Sequence, residues 1–202
     1  MLVDIVVFQG LDELDVVGPL EVLRRAEALG ADVRSRLCGR GGVEPVVGAF
    51  GLSFQPDAEF VPGEADVVMV PGGGWVARER SGAWAEVELG HWPKLLSDAA
   101  ASGSVMAGVC TGSLLLAHAG VIGARRAATH HDAQADLSAL GADVVSERVV
   151  DEGDLLTSGG VSSGIDLALW LVSRYLGEEL AKVVADGLEY TWSGPAPRDP
   201  ED

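Results

Sequence analysis

Two hydrophobic patterns alternate along the chain. Short apolar runs rich in Val and Ile suit strands buried on both faces, and between them lie stretches with apolar residues at helical spacing. Residues 2–8 form the first run. A loop over residues 9–18 follows, and Pro19 then stands where a helix favours its first residue, with Gly18 as the expected cap. Val22, Leu23, Ala26 and Leu29 make the apolar stripe of that helix, and Gly30 supplies its stop. Residues 33–37 read as a strand. Residues 43–47 and 52–54 read as a hairpin. Residues 66–70 read as a buried strand running into Pro71-Gly72-Gly73-Gly74.

The second half repeats the alternation. Residues 84–102 are mostly helical, with Pro93 as the expected interruption. Residues 104–109 form a strand and residues 111–119 a helix ending at Gly120. A short strand falls near residues 126–129, and a helix over 132–140 is stopped by Gly141. Strands over 144–150 and 155–158 flank an Asp-Glu-Gly-Asp turn, and helices over 163–176 and 178–187 follow. Ser163 and Asp166 have the spacing of a capping box. Strands alternating with helices predict an α/β fold: a mainly parallel central sheet with helices on both faces, in three layers. Ligands in such folds bind beyond the carboxyl ends of the strands. The pattern predicts one domain over residues 1–192 and a mobile, Pro-rich and charged tail over 193–202.

Composition narrows the function classes. The chain has 202 residues, 48% of them hydrophobic, enough for a sizeable core without disulfide or metal staples. Its formal net charge of −17 disfavours nucleic acid and anionic lipid surfaces as partners. The N-terminal apolar run lacks a basic flank and carries Asp4, so it reads as a strand and not as a signal peptide. No apolar run reaches the roughly 20 residues of a membrane helix. Two cysteines, Cys38 and Cys110, are too few for a disulfide framework or a zinc site and suit a reducing, cytoplasmic setting.

The chemistry concentrates in three places. In Ala107-Gly108-Val109-Cys110-Thr111-Gly112-Ser113 a strand runs directly into a helix with a cysteine at the junction, the layout of a nucleophile elbow. The helix N-terminus behind it predicts an acidic, thiolate-favouring Cys110. The glycine run after residue 70, with Gly72 and Gly73, can present backbone N–H groups to a developing oxyanion. Asp15, in an apolar stretch, is a candidate acid or base with a raised pKa, whereas Asp12 and Glu13 read as solvated. His130 is a candidate base for Cys110. His131 and His118 read as structural, and Cys38 as core.

Together, Leu14-Asp15-x-x-Gly18-Pro19, Pro71-Gly72-Gly73, Val109-Cys110-Thr111-Gly112-Ser113, Arg126-Ala127-x-Thr129-His130 and the stretch from Glu147 to Gly160 resemble the DJ-1/PfpI superfamily. Gly164-Ile165-Asp166 and Leu188-Glu189-Tyr190 resemble it too, and the closest branch is that of the isocyanide hydratases. The resemblance implies a flavodoxin-like fold, a homodimer, a small-molecule substrate, and no metal or organic cofactor. It implies Cys110 as nucleophile, Asp15 as its acidic partner, and Thr111 and Gly73 lining the site through backbone groups. The expected reaction converts an isocyanide to an N-substituted formamide. Glyoxalase-like hydration, a PfpI-type peptidase using His130, and a cysteine-based sensor related to AraC-type regulators are the alternatives. The chain is expected to be too short for the DNA-binding region of such regulators. Two departures stand out: His131 occupies a position that is Trp in those hydratases, and Trp75-Val76-Ala77-Arg78 is particular to this chain.

Overall fold

The computed structural model describes residues 1–194; the expected tail beyond residue 194 lies outside the described residues. A seven-stranded sheet has the order β10-β11-β7-β6-β1-β2-β5. Its strands are β1 (Leu2–Val6), β2 (Arg34–Gly39), β5 (Ala58–Glu59), β6 (Val67–Val70), β7 (Val105–Gly108), β10 (Val149–Asp151) and β11 (Leu155–Ser158). All neighbours pair in parallel except β10 with β11. Two small sheets complete the fold. The hairpin expected from sequence is β3 (Val46–Val47) with β4 (Ser53–Phe54), and β8 (Arg126–Ala127) pairs with β9 (Asp143–Val144).

Helices α1 (Glu13–Ala28), α6 (Ser163–Leu176) and α7 (Glu178–Gly187) pack together, and α2 (Ala83–Leu89), α3 (His91–Ala101) and α4 (Gly112–His118) form a second group. A short α5 (Gln134–Ala139) follows a single 3₁₀ turn. The result is the three-layer, flavodoxin-like architecture. β6 and β11 are buried at every residue, which explains their unbroken apolar runs. No described helix is long and apolar enough to cross a membrane.

Three local expectations are corrected. The first helix begins six residues before Pro19. Asp12 is its cap, accepting the Leu14 N–H at 3.1 Å, and Pro19 lies inside the helix. Gly18 and Pro19 instead mark the close crossing of α1 and α6. A Cβ on Gly18 would lie 3.0 Å from Ile165, and one on Gly164 would lie 3.2 Å from the Pro19 ring. The helical stretch after residue 83 breaks at Gly90, which takes φ +72, while Pro93 sits harmlessly in the first turn of α3. Ser163 and Asp166 form no capping box. Ser162 is the cap residue of α6, and the Asp166 carboxylate accepts from Arg148 Nε and from the Tyr190 hydroxyl, both at 2.8 Å.

Buried carboxylates brace the sheet. Asp4, fully enclosed in β1, accepts a two-pronged pair of bonds from Arg36 on β2 at 2.8 and 2.9 Å. Asp151 accepts from Trp170 Nε1 and from Arg174, each at 2.8 Å, and so ties the edge of the sheet to α6. Asp151→Ala removes the acceptor shared by the Trp170 Nε1 and Arg174, leaving Arg174 its bond to the Gly153 carbonyl at 2.8 Å. It is expected to destabilise the fold by about 3 kcal/mol in a urea titration; a loss below about 1 kcal/mol would show that these bonds carry little.

Candidate active site

Cys110 stands between the end of β7 and the start of α4 with φ +56, a conformation that costs a non-glycine residue energy and turns the side chain out of the strand. The turn is over-determined. The Cys110 N–H donates to the Gly159 carbonyl at 3.1 Å, and the Cys110 carbonyl accepts from the Thr129 hydroxyl at 2.8 Å. Gly112 has no room for a side chain, because the carbonyls of Val70 and Pro71 lie against it. The elbow read from sequence is therefore present, and the ends of β6 and β7, Gly159 just after β11 and Thr129 just after β8 all fix it.

Asp15 is completely buried on α1. Its Oδ2 accepts the Gly72 N–H at 2.8 Å. Its Oδ1 has no completed hydrogen bond, and the Cys110 side chain is the polar group that interacts with the carboxyl. Burial, reinforced by the neighbouring Asp12 charge, raises the Asp15 pKa well above the usual carboxylate range. Burial also raises the Cys110 thiol, and the Asp15 charge pushes it further. The expectation of an acidic thiolate is thus corrected: desolvation outweighs the pull of the Val161 and Thr111 backbone N–H groups and of a helix only two turns long. The two groups form a coupled pair that retains a proton, and ionising one opposes ionising the other.

The glycine run serves a different purpose from the one its composition suggests. Gly72 spends its N–H on Asp15, and Gly73 donates to Thr111 Oγ1 at 3.0 Å. The N–H groups that favour anionic sulfur come from Thr111 and from Val161. Val161 escaped sequence reasoning because nothing in its residue type signals its φ of +44, which is strained for a β-branched residue. The segment after β11 adjoins the site through the Gly159 carbonyl, which accepts the Cys110 N–H.

A cleft of about 240 Å³ opens over the sulfur, lined by Asp12, Trp75, Glu79, Thr111, His130 and Val161 with Gly73, Gly74, Val76 and Ala77. Cys110 itself forms part of the lining. Trp75 is fixed by a 2.7 Å bond from its Nε1 to Asp136 and by edge contact with Trp84. His130 Nδ1 accepts the Asp132 N–H at 3.2 Å, and its ring stacks on His131 at 4.2 Å. His118 packs beside Trp75. Asp12 and Glu13, read as solvated, are not: Asp12 is half-buried at the cleft, and Glu13 is buried, its Oε1 accepting the Phe50 N–H at 2.7 Å to pin the β3–β4 hairpin to α1. Cys38 is core, its thiol pushed up to about 12 by burial and by Asp4. Among the described residues, His130, His131 and Asp132 bring potential metal-ligand atoms within 4.8 Å of one another, the last two exposed.

The model of the DJ-1/PfpI family matches residues 1–174. This chain belongs to the DJ-1/PfpI family. It is 36% identical over 191 residues to an isonitrile hydratase from Pseudomonas putida, covering 94% of this chain and 77% of the relative. It is 30% identical to the transcriptional regulator CdhR from Pseudomonas aeruginosa, covering 88% of this chain and 51% of the regulator. A ThiJ/PfpI family crystal structure from Pseudomonas syringae superposes with a TM-score of 0.81 at 24% identity, covering 98% of this chain and 77% of that one.

Proposed function

We propose that this protein is a cysteine-dependent hydro-lyase that adds water to an isocyanide and releases an N-substituted formamide. The observation that carries the proposal is the strained strand-to-helix turn that sets Cys110 into the lining of a small cleft, with the buried Asp15 carboxyl near enough to act on its sulfur. The likeness to the P. putida isonitrile hydratase supports it.

The proposed reaction has two halves. The Cys110 sulfur attacks the terminal carbon of R–N≡C and an S–C bond forms. Asp15 passes the thiol proton to that carbon, giving a thioimidate, R–N=CH–S–Cys. Water then adds to the same carbon, its protons reaching nitrogen and sulfur by way of Asp15, and the C–S bond breaks to release R–NH–CHO and the free thiol. A carboxyl with a raised pKa suits both duties, because it gives and takes a proton near neutral pH. The N–H groups of Thr111 and Val161 stabilise charge on sulfur as it attacks and again as it leaves.

A cytoplasmic homodimer is part of the proposal. Supporting the dimer is an apolar concavity of about 330 Å³ on α1, α6 and the C-terminal segment, with Leu14, Val17, Ile165 and Leu188 in its lining. Incubating purified protein with a panel of alkyl and aryl isocyanides is expected to yield the matching formamides. No turnover of any of them, with turnover of methylglyoxal, would replace this reading by the glyoxalase-like one. The regulator relative favours one second reading, a ligand sensor, which predicts saturable binding without turnover.

A further inference from the structure

The cleft over Cys110 is charged on one side of the ledger only. Two carboxylates line it, Asp12 from the start of α1 and Glu79 from the loop after the glycine run. Among its described lining residues there is no lysine or arginine, and His130 is the one base. Two arginines flank Glu79 in sequence, Arg78 and Arg80, and neither lines the cleft; Arg78 lies on the face of Trp84, with its guanidinium carbon 4.0 Å from the ring centroid. Asp12 is held in place: its side chain caps α1, and its own N–H donates to the Gly72 carbonyl at 2.9 Å. It stands close enough for its charge to act on both Cys110 and Asp15. Apart from Thr111 and Cys110, the rest of the lining is aromatic, aliphatic or glycine.

We propose that Asp12 and Glu79 make this cleft charge-selective, so that the sulfur of Cys110 meets neutral and cationic small molecules and excludes carboxylates, sulfonates and phosphates. The physical basis is Coulombic. An anion entering the cleft meets the half-buried Asp12 and the exposed Glu79, with no lysine or arginine among the described lining residues, and electrostatic interactions at a half-buried carboxylate are stronger than in open water. Asp15 adds to the effect when ionised, but it is the partner of the sulfur and is left unchanged in the test. For the hydratase reading this names the substrate class: isocyanides whose R group is uncharged or carries an amine, and not those bearing a carboxylate.

The test uses two thiol reagents of the same chemistry and opposite charge, 2-aminoethyl and 2-sulfonatoethyl methanethiosulfonate. In each, the cysteine sulfur attacks the thio sulfur, a mixed disulfide forms, and methanesulfinate leaves. Labelling is followed by intact mass at pH 8, and each rate is divided by that of the same reagent with 2-mercaptoethanol. Cys38, fully buried, is expected to remain unlabelled, which peptide mapping verifies. The normalised cation-to-anion ratio at Cys110 is expected to exceed about ten and to fall about tenfold in the Asp12→Asn/Glu79→Gln double variant. Asn at position 12 keeps the helix cap, so the double variant retains the fold. A ratio near one in the wild type, an unchanged ratio in the variant, or no labelling of Cys110 by either reagent would overturn the proposal. Labelling requires only the cleft and the thiol, so the result stands whether or not any isocyanide is hydrated. Salt gives a further check: the ratio is expected to shrink as ionic strength rises from 0.01 to 1 M, and an unchanged ratio would count against fixed charges as its cause.

Discussion

Asp15→Asn is expected to slow formamide production by about 10²–10⁴-fold, the usual contribution of a positioned acid–base group, while making the protein more stable at neutral pH. The two effects share one cause. Asp15 is fully buried, and desolvation raises its pKa. The folded state therefore binds the Asp15 proton more tightly than the unfolded chain does. That stabilisation is complete below the ordinary carboxyl pKa of about 4, and is lost as pH rises from there through the raised folded value. Asn keeps an oxygen for the Gly72 N–H and has no charge to bury. The variant's melting temperature is expected to exceed the wild type's by about 2–8 °C at pH 8 and to converge with it near pH 4. The Cys110 thiol is expected to become more acidic, because the Asp15 charge that raises it is gone. Parallel melting curves across that pH range would contradict the account of Asp15 as a strained, buried acid.

Gly112→Ala is expected to cost more than about 3 kcal/mol of stability and to remove activity from whatever protein remains folded. A Cβ at this position overlaps the Val70 carbonyl oxygen and lies 2.8 Å from that of Pro71. Both neighbours are backbone at the end of β6, so neither side can yield by rotating a side chain. Relief requires α4 to move away from β6, which carries Cys110, Thr111 and the Thr111–Gly73 bond with it. Chemical denaturation measures the loss, and a variant within 1 kcal/mol of wild type would mean that the elbow is far softer than its geometry implies.

The inner strands are legible from the chain because they are buried on both faces, and uninterrupted Val and Met in β6 admit few other readings, whereas the two-residue edge strand β5 is not buried and carries no such run. The elbow was legible because its requirements fall on residue type: small neighbours around a cysteine at a strand-to-helix junction. The start of α1 was misplaced because Pro19 was taken for a helix opener. Its ring fills space against Gly164 of α6, a tertiary reason that local sequence does not carry. The task of Gly72 and Gly73 is not legible from their residue type. A Gly run shows that backbone approaches closely, not which acceptor its N–H groups will find, and here they secure Asp15 and Thr111. Cys110 misled in the opposite direction, since helix position argues for acidity while burial, a property of the assembled fold, prevails. Val161 was illegible because its strained φ is imposed on it by the surrounding structure.

The central claim is that Cys110 bonds covalently to the carbon that becomes the formyl group. Rapid mixing of the wild type with an alkyl isocyanide, acid quenching and intact mass spectrometry test it directly. The account predicts a transient mass increase equal to the isocyanide, mapped to the peptide containing Cys110, decaying at the rate at which formamide appears, with neither adduct nor formamide from Cys110→Ala. Formamide released by Cys110→Ala at the wild-type rate would contradict it.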